Sequence, residues 1–329
     1  MRSICKMNDL RKESVIWTEI DEGSCDQRID NYLCKLLKGV PKSHIYRILR
    51  SGEVRVNKKR VDQTYRMQLG DLVRIPPVRV AEASPKKYVV AAEFPILYED
   101  DALLVVDKPA GVAVHGGSGV SFGVIEQLRS ARPDAKFLEL VHRLDRETSG
   151  VLLLAKKRSA LTGLHEQMRE GKTDKRYLCL VLGQWKNAIQ HVRLPLHKMV
   201  NDEGEKRVTV REDGQTAHTV FALQRAWADF SLLEAQLKTG RTHQIRVHLA
   251  HLTFPIAGDD KYGDFSRNKE IARPRLNGQG LKRMFLHAHA IAFTHPITQE
   301  PLRLMAALPK ELQKFIDQLD GAVTKSNQH

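Results

Sequence analysis

The sequence HRLDRETSG at residues 142–150 leads directly into the apolar sequence VLLLA at residues 151–155. Five consecutive apolar residues after a glycine are typical of a buried β-strand. The nine preceding residues form a charged turn, in which Asp145 is flanked by Arg143 and Arg146. A turn anchored to a core strand is a common support for catalytic groups. Considered alone, however, a carboxylate between two arginines more often belongs to a surface ion network.

The composition describes a large and strongly basic chain. Its 329 residues suit two or three domains, and 42% of them are hydrophobic, which is enough for a substantial interior. The formal net charge is +14, which favours a polyanionic partner, either a nucleic acid or an anionic membrane face. Residues 35–87 contain 14 Lys and Arg but only four acids, so most of the excess lies in one short segment. A small, basic folded segment is typical of a phosphate-binding module.

Cysteine spacing and the absence of long apolar stretches indicate the compartment. The four cysteines show no CxxC spacing, which argues against a zinc ribbon and a disulfide framework; they are Cys5, Cys25, Cys34 and Cys179. No apolar stretch approaches 18 residues, and the N-terminus lacks the apolar core of a signal peptide. We therefore expect a cytoplasmic protein that has no contact with a membrane.

Residues 26–76 form the first predicted domain. Apolar residues at helical spacing predict a helix over 29–37, with Asp26 as its N-cap. A second helix is predicted between Pro41 and Gly52, and short strands are predicted at 54–56 and 72–75. This arrangement is a compact unit of helices and strands.

The unit resembles the S-four-type RNA-binding domain, also called the alpha-L motif. The similarity lies in Arg28-Ile29-Asp30, in residues 43–50 and 54–58, and in Gly70-Asp71. Such modules occur on enzymes and on plain RNA-binding proteins alike, and the resemblance implies that basic helix faces and loops bind structured RNA. The residues that we assign to this surface are Lys42, Arg47, Arg50, Lys58, Lys59 and Arg60.

The remaining chain is divided by composition and periodicity. Residues 1–25 are predicted to be loose, residues 77–93 to be a linker, residues 94–320 to be one large domain and residues 321–329 to be a tail. In the large domain, helices are predicted at 124–130 and 160–169, and strands at 102–106, 151–155, 176–182, 208–211, 218–223, 231–237, 242–247 and 290–293. Many strands with few helices indicate an α+β fold built on a mixed, largely antiparallel sheet.

Two further segments carry side chains suited to chemistry. Tyr177 opens an apolar strand, and the sequence TGRTHQIRVHL occupies residues 239–249. If residues 242–247 form a strand, period two places Thr242, Gln244, Arg246 and His248 on one face. That face would direct a guanidinium into a cleft.

These segments are similar to the three active-site motifs of the pseudouridine synthases, in the branch that modifies ribosomal and transfer RNA. The matching elements are HRLD at 142–145, Tyr177 and GRTHQIR at 240–246. The sequence KPAG at 108–111 matches the opening motif, and DKYG at 260–263 matches a further signature. Order and spacing agree across the predicted large domain.

The resemblance implies an enzyme that isomerises specific uridines of large-subunit ribosomal RNA to pseudouridine. The bond from ribose to nitrogen-1 of uracil breaks, and the base turns and rejoins through carbon-5. No atom is gained and no redox change occurs, so neither a cofactor nor a metal is expected. The implied partner is large-subunit ribosomal RNA or an assembly intermediate, and we expect a monomer.

The resemblance also assigns the catalytic residues. Asp145 matches the catalytic aspartate, which acts either as a nucleophile or as a base that leads to a glycal; the sequence does not choose between them. Arg246 matches the basic partner that keeps this carboxylate ionised despite burial. Tyr177 matches the tyrosine that packs on uracil and helps to remove the carbon-5 proton.

Other matching residues concern RNA binding. A uridine in a stem must be flipped out before it reacts, and Arg143 matches the arginine that fills the vacated stack. Arg241 and His243 belong to the third motif and are assigned to RNA binding. His142 is expected to hold the turn rather than transfer protons.

Two other interpretations stay open. The basic segment also fits a noncatalytic RNA-binding factor in ribosome assembly, for which Asp145–Arg246 is a structural ion pair and Tyr177 is ordinary core packing. Several histidines invite a metal-dependent hydrolase, although no HExxH sequence is present; they are His243, His248, His251, His287 and His289.

Overall fold

The computed structural model describes residues 14–78, 89–116, 122–200, 206–274 and 280–326. They belong to two compact units, one within residues 1–88 and one within residues 89–329. The helices are α1 Ile29–Leu36, α2 Lys42–Arg50, α3 Val124–Ala131, α4 Arg158–Arg169, α5 Gln244–His251, α6 Phe265–Ile271 and α7 Lys310–Ser326. The strands are β1 Ile16–Glu19, β2 Arg55–Val56, β3 Leu72–Ile75, β4 Ile96–Glu99, β5 Leu103–Lys108, β6 Glu139–Leu140, β7 Ser149–Ala155, β8 Asp174–Leu182, β9 Ile189–Val192, β10 Leu196–Val200, β11 Lys206–Val210, β12 Thr219–Ala226, β13 Phe230–Leu237, β14 Leu286–Thr294 and β15 Pro301–Met305. In the described residues, no helix combines the length and apolar character that a membrane span requires.

The small unit contains the predicted helices and strands together with one additional strand. Its sheet has the antiparallel order β1-β3-β2, and α1 and α2 contribute buried apolar residues to one shared cluster. The N-cap prediction was wrong. Asp26 has a left-handed backbone with φ of 58°, and α1 begins after Arg28, whose side chain makes no cap. Aspartate tolerates this conformation in turns, which explains why an acid precedes the helix without capping it.

The loose segment expected over residues 1–25 differs from the structure. Ile16–Glu19 form β1, which pairs with β3, and Ile20 is buried immediately after the strand. The alternation is only four residues long, which is too short to stand out in a sequence. Residues 1–13 lie outside the described part of the chain, as do residues 79–88 of the expected linker and 327–329 of the expected tail.

The large unit is built on a ten-stranded mixed sheet. The main strand order is β4-β5-β7-β14-β8-β13-β12-β9, with β6 added to β7 and β15 added to β14. The pair β7–β14 is parallel and the other pairs of this sheet are antiparallel, so the predicted fold class is confirmed. All seven residues of β7 are buried. Leu152 and Leu154 face one hydrophobic cluster with α3, whereas Val151 and Leu153 face another with α4, which explains the unbroken apolar run.

The predicted strand at residues 242–247 was wrong. Residues 244–251 form α5, so Thr242, Gln244, Arg246 and His248 do not share one face. Residues 244–249 are all buried, and a helix enclosed on every side shows no amphipathic period of 3.6 residues. Its apolar residues happen to alternate, which imitates a strand.

Candidate active site

The three residues assigned to catalysis line one pocket of about 600 Å³. Asp145 lies in the turn between β6 and β7, Tyr177 lies on β8, and Arg246 lies on α5. Strand β14 stands between β7 and β8, so the pocket collects groups from distant parts of the chain. The structure therefore brings together residues separated by up to 101 positions.

The turn that carries Asp145 is fixed by a buried lysine and a partly buried arginine. The fully buried ammonium of Lys108 donates to the carbonyl oxygen of Arg146 at 3.1 Å and to two other carbonyls. Burial lowers the pKa of Lys108 to about 7. Arg283 donates to the hydroxyl of Ser149 at 2.8 Å on the other side of the turn. Because both contacts flank Asp145, its backbone is held in one position.

Gly150 completes this support. Its φ is +109°, a conformation that L-residues rarely adopt, and an added Cβ would collide with the carbonyl oxygen of Ala288 on β14. The backbone at the end of the turn therefore packs directly against the backbone of β14. His142 performs the role expected for it, since its Nε2 accepts the N–H of Leu153 at 3.2 Å.

Arg246 is held mainly by a carboxylate that sequence reasoning missed. Its Nε and Nη2 donate to the two oxygens of Asp259, both at 2.7 Å, whereas Nη1 lies 3.4 Å from Asp145 Oδ2. Asp260 contributes a longer contact of 3.5 Å. Asp259 directly precedes the DKYG signature, and its adjacency to that motif is the signal that could have identified it.

Arg246 and Asp259 each stabilise the charged form of the other. Burial opposes the positive charge of Arg246, but hydrogen bonds and attraction from Asp259, together with Asp145, raise its pKa above the ordinary value. Burial alone would raise the pKa of Asp259, but the Arg246 guanidinium and two backbone N–H groups lower it overall. A permanent cation therefore faces Asp145, whose side chain is only 19% exposed.

His243 presents a second group to Asp145. It precedes α5 with a left-handed φ of 54°, and its Nε2 lies 3.7 Å from Asp145 Oδ1. Its Nδ1 lies 2.8 Å from the hydroxyl of Tyr262, which also accepts the N–H of Val208 at 3.0 Å. We assign the Tyr262 proton to the bond with Nδ1, which places the proton of a neutral imidazole on Nε2, facing Asp145. Burial lowers the pKa of His243, and Asp145 opposes this effect.

Tyr177 enters the pocket as a neutral phenol. Its residue is 8% exposed, and burial together with the nearby charge of Asp145 raises its pKa above the ordinary value. A protonated aromatic side chain suits packing against an uncharged base. It does not supply a phenolate before a substrate binds.

The rest of the pocket is strongly basic. Besides Arg246, it is lined by Arg143, Arg169, Lys175, Lys238 and Arg241, while Asp145 is the one acid among the described lining residues. Arg143 and Arg241 are exposed, and Arg241 donates to the carbonyl of Thr216 at 3.1 Å. A carboxylate surrounded by cations at the wall of a pocket suits a polyanionic substrate.

Both units of the chain match known protein families. The model described as RNA pseudouridylate synthase matches residues 102–251, and the model of the S4 domain matches residues 27–73. Ribosomal large subunit pseudouridine synthase C of Escherichia coli (strain K12) is 53% identical over 315 residues, which cover 94% of this chain and 98% of that protein. The chain belongs to the RNA pseudouridylate synthase family.

Other relatives of this synthase agree. Ribosomal large subunit pseudouridine synthase C of Haemophilus influenzae is 51% identical over 312 residues, covering 93% of this chain and 95% of that protein. The solved structure of human RNA pseudouridylate synthase domain containing 4 matches with a TM-score of 0.56 and 26% identity, covering 68% of this chain and 92% of that one. Asp145, Tyr177 and Arg246 lie inside the matched family region, whereas Asp259 and Tyr262 lie beyond it.

The six residues assigned to RNA binding in the small unit of the synthase are all exposed. Lys42, Arg47 and Arg50 lie on α2, and residues 58–60 lie in the turn that follows β2. Exposed cations on one helix and one turn are free to reach phosphate groups.

Four of the five histidines that suggested a metal are engaged in other contacts. His248 contacts the hydroxyl of Thr219 and the carbonyl of Leu194, both at 2.9 Å. His287 contacts the Ser149 hydroxyl at 2.9 Å and the Ala306 carbonyl at 3.2 Å. Within the described ranges, no group of three or more His, Cys, Asp or Glu side chains could hold a metal ion.

We expect the buried His287 to weaken the fold in acid. Burial lowers its pKa to about 4, so the folded chain keeps it neutral while the unfolded chain takes up a proton near the ordinary value of 6.5. The free energy of unfolding should therefore fall as the pH drops from 6.5 towards 4, by roughly 2 kcal/mol at pH 5 for this residue. Urea titrations at pH 7 and pH 5 should show a smaller loss for His287→Gln than for the unchanged protein. Exposed His251→Gln is the control, and identical losses in all three proteins would contradict the expectation.

Proposed function

We propose that this enzyme isomerises specific uridines of large-subunit ribosomal RNA to pseudouridine, with Asp145 as its catalytic carboxylate. The observation that carries the proposal is the convergence of Asp145, Tyr177 and Arg246 in one basic pocket. The names of the relatives in two bacteria support the choice of RNA. We further propose that the protein acts in the cytoplasm as a monomer, without a cofactor or a metal.

Asp145 would begin the reaction beside two nitrogen groups. Arg246 lies 3.4 Å and His243 lies 3.7 Å from its carboxylate oxygens in a partly buried site. The carboxylate either attacks the nucleotide or removes a ribose proton to give a glycal, and in both routes the bond from C1′ to N1 breaks with its electron pair leaving on uracil. The base then turns and C5 bonds to the ribose. In the first route the bond to Asp145 breaks, and in the second Asp145 returns its proton to the ribose. The C5 proton departs and N1 ends the reaction protonated. Tyr177 would pack against the base during this rotation.

The target must leave its stack to reach Asp145. Flipping a nucleotide costs a few kcal/mol, and an exposed guanidinium at the pocket can offset part of this by stacking in the space left behind. Arg143 is exposed and lies two residues before Asp145, so we assign this role to it. Arg241 and His243 would contact the RNA from the opposite wall.

We propose that the small unit, residues 26–76, adds RNA affinity to a catalytic domain at residues 94–320, with residues 77–93 as the connection. The S4 match and the exposed cations of α2 and of the 58–60 turn support this role. Phosphate contacts supply much of the affinity for RNA and make it dependent on salt.

We expect Lys58→Gln combined with Lys59→Gln to weaken binding to ribosomal RNA. Each lost phosphate contact should reduce the slope of log affinity against log salt by about 0.7–0.9. The pair Lys310→Gln and Lys314→Gln removes the same charge from the exposed face of α7 and is the matched control. Equal affinities and slopes for the two double variants would contradict the assignment.

The test of the function is a transcript-wide map of pseudouridine in cells with and without this protein. Loss of specific pseudouridines from large-subunit ribosomal RNA, restored by the unchanged gene, is the expected result. An unchanged map would overturn the proposal, and loss confined to transfer RNA would overturn the choice of substrate.

A further inference from the structure

Lys175 places an ammonium in the active pocket for which the reaction outlined above has no role. It lies on β8 two residues before Tyr177, and both side chains line the pocket. Arg176 between them does not line it and instead pairs with Asp174 and Glu234. The alternation of the strand therefore directs Lys175 and Tyr177 to the same side.

The ammonium of Lys175 has no hydrogen-bond or ion-pair partner among the described residues. A Cβ built on Gly240 would stand 3.8 Å from its Nζ, so the group faces the loop that precedes α5. Burial lowers the pKa of Lys175, and no neighbouring carboxylate offsets this effect. A partly buried lysine without a protein partner, at the wall of a pocket, is placed to contact a bound ligand.

Other pocket cations differ from Lys175 in one of two ways. Arg246 is already shared between Asp259 and Asp145, so its donors are occupied. The remaining cations are exposed, so water solvates their charge; they are Arg143, Arg169, Lys238 and Arg241. Among the described lining residues, Lys175 is the cation that combines partial burial with the lack of a partner.

The proposed reaction creates a matching negative charge, and this inference rests on that function. When the C1′–N1 bond breaks, uracil carries the electron pair as an anion whose charge is spread over N1 and its carbonyl oxygens. Asp145 repels such an anion, and the neutral phenol of Tyr177 offers no positive charge. We propose that Lys175 donates a hydrogen bond to a carbonyl oxygen of the flipped uracil and stabilises the anion that forms when the glycosidic bond breaks.

The geometry of β8 is consistent with this contact. Residues two apart on a strand are separated by about 7 Å, so a base packed against Tyr177 lies within reach of the lysine side chain. Lys175 keeps its proton throughout, because the proton lost from C5 balances the one gained at N1. Its contribution is electrostatic, and it grows as charge develops on the base.

The test compares Lys175→Met with Lys314→Met in single-turnover reactions on ribosomal RNA at saturating enzyme. We expect Lys175→Met to lower the rate of pseudouridine formation about 10²–10³-fold, as removal of a donor to a developing anion does, with RNA affinity unchanged. Lys314→Met, an exposed cation of α7 outside the pocket lining, should leave both the saturated rate and the RNA affinity unchanged. Lys175→Arg should recover part of the lost rate.

A second measurement separates chemistry from folding. In Lys175→Ala, added methylammonium or ethylammonium should raise the rate, which a purely structural lysine would not allow. If Lys175→Met reacts at saturation as fast as the unchanged protein, the inference is wrong. If it also loses RNA affinity, Lys175 is a phosphate contact. If the unchanged protein forms no pseudouridine, the proposed function fails instead, so the two failures are distinguishable.

Discussion

Asp145→Asn is expected to abolish pseudouridine formation while RNA binding persists. Asparagine keeps the shape of the side chain but is neither a nucleophile nor a base, so we expect a loss of at least about 10⁴-fold. The fold should survive, because Arg246 retains its two bonds of 2.7 Å to Asp259. Chemical mapping of reacted ribosomal RNA measures the product, and affinity is compared at one salt concentration.

Asp260→Asn is the matched control for this experiment. Asp260 is 72% exposed and lies 3.5 Å from the same guanidinium, so its change should leave the rate nearly intact. Complementation in cells then separates an enzyme from an RNA-binding assembly factor. Product from Asp145→Asn, or full rescue by that variant, would favour the noncatalytic alternative.

Asp259→Asn is expected to destabilise the enzyme strongly and to impair catalysis. The change leaves the buried Arg246 without its main counter-charge, and breaking a buried pair in this way costs about 3–5 kcal/mol. Asparagine can keep one oxygen for the backbone N–H groups of Lys261 and Tyr262, but its NH2 group replaces one of the two oxygens that accept from Arg246. Urea unfolding measures the stability, and single-turnover rates measure the effect on Asp145.

Asp260→Asn again provides the comparison, since an exposed carboxylate should change the free energy of unfolding by less than about 0.5 kcal/mol. If Asp259→Asn unfolds at the same urea concentration as this control, the bidentate pair does not stabilise the fold. A stable variant with normal activity would also show that Arg246 does not need Asp259 to face Asp145.

The sequence predicted the helices and strands whose buried residues recur at a regular spacing. Strand β7 appeared as a continuous apolar run because both its faces are covered, and α2 appeared because one of its faces is exposed. Helix α5 was misinterpreted because it is enclosed on all sides and lacks a polar stripe. Strand β1 is four residues long and gains its stability from pairing with β3, which its own residues do not reveal.

The candidate site was proposed from motif similarity rather than from local pattern. The spacing of apolar residues gives no sign that Asp145 contacts Arg246, because their contact depends on how β7, β8 and α5 are arranged. The main partner of Arg246 was missed for the same reason. Asp259 follows α5 in a loop whose path is set by contacts to Asn268, which donates to the carbonyl of Asp259 at 2.8 Å.

Strand β14 lies between β7 and β8 in the sheet but follows both of them in the sequence. This order determines how much of the chain must be translated before the pocket can form. The strand begins at Leu286, long after the ribosome has made both of its neighbours. Until it emerges, the nascent chain cannot join the turn of Asp145 to the strand of Tyr177. A nascent chain therefore cannot modify RNA before residues 286–294 have left the ribosome.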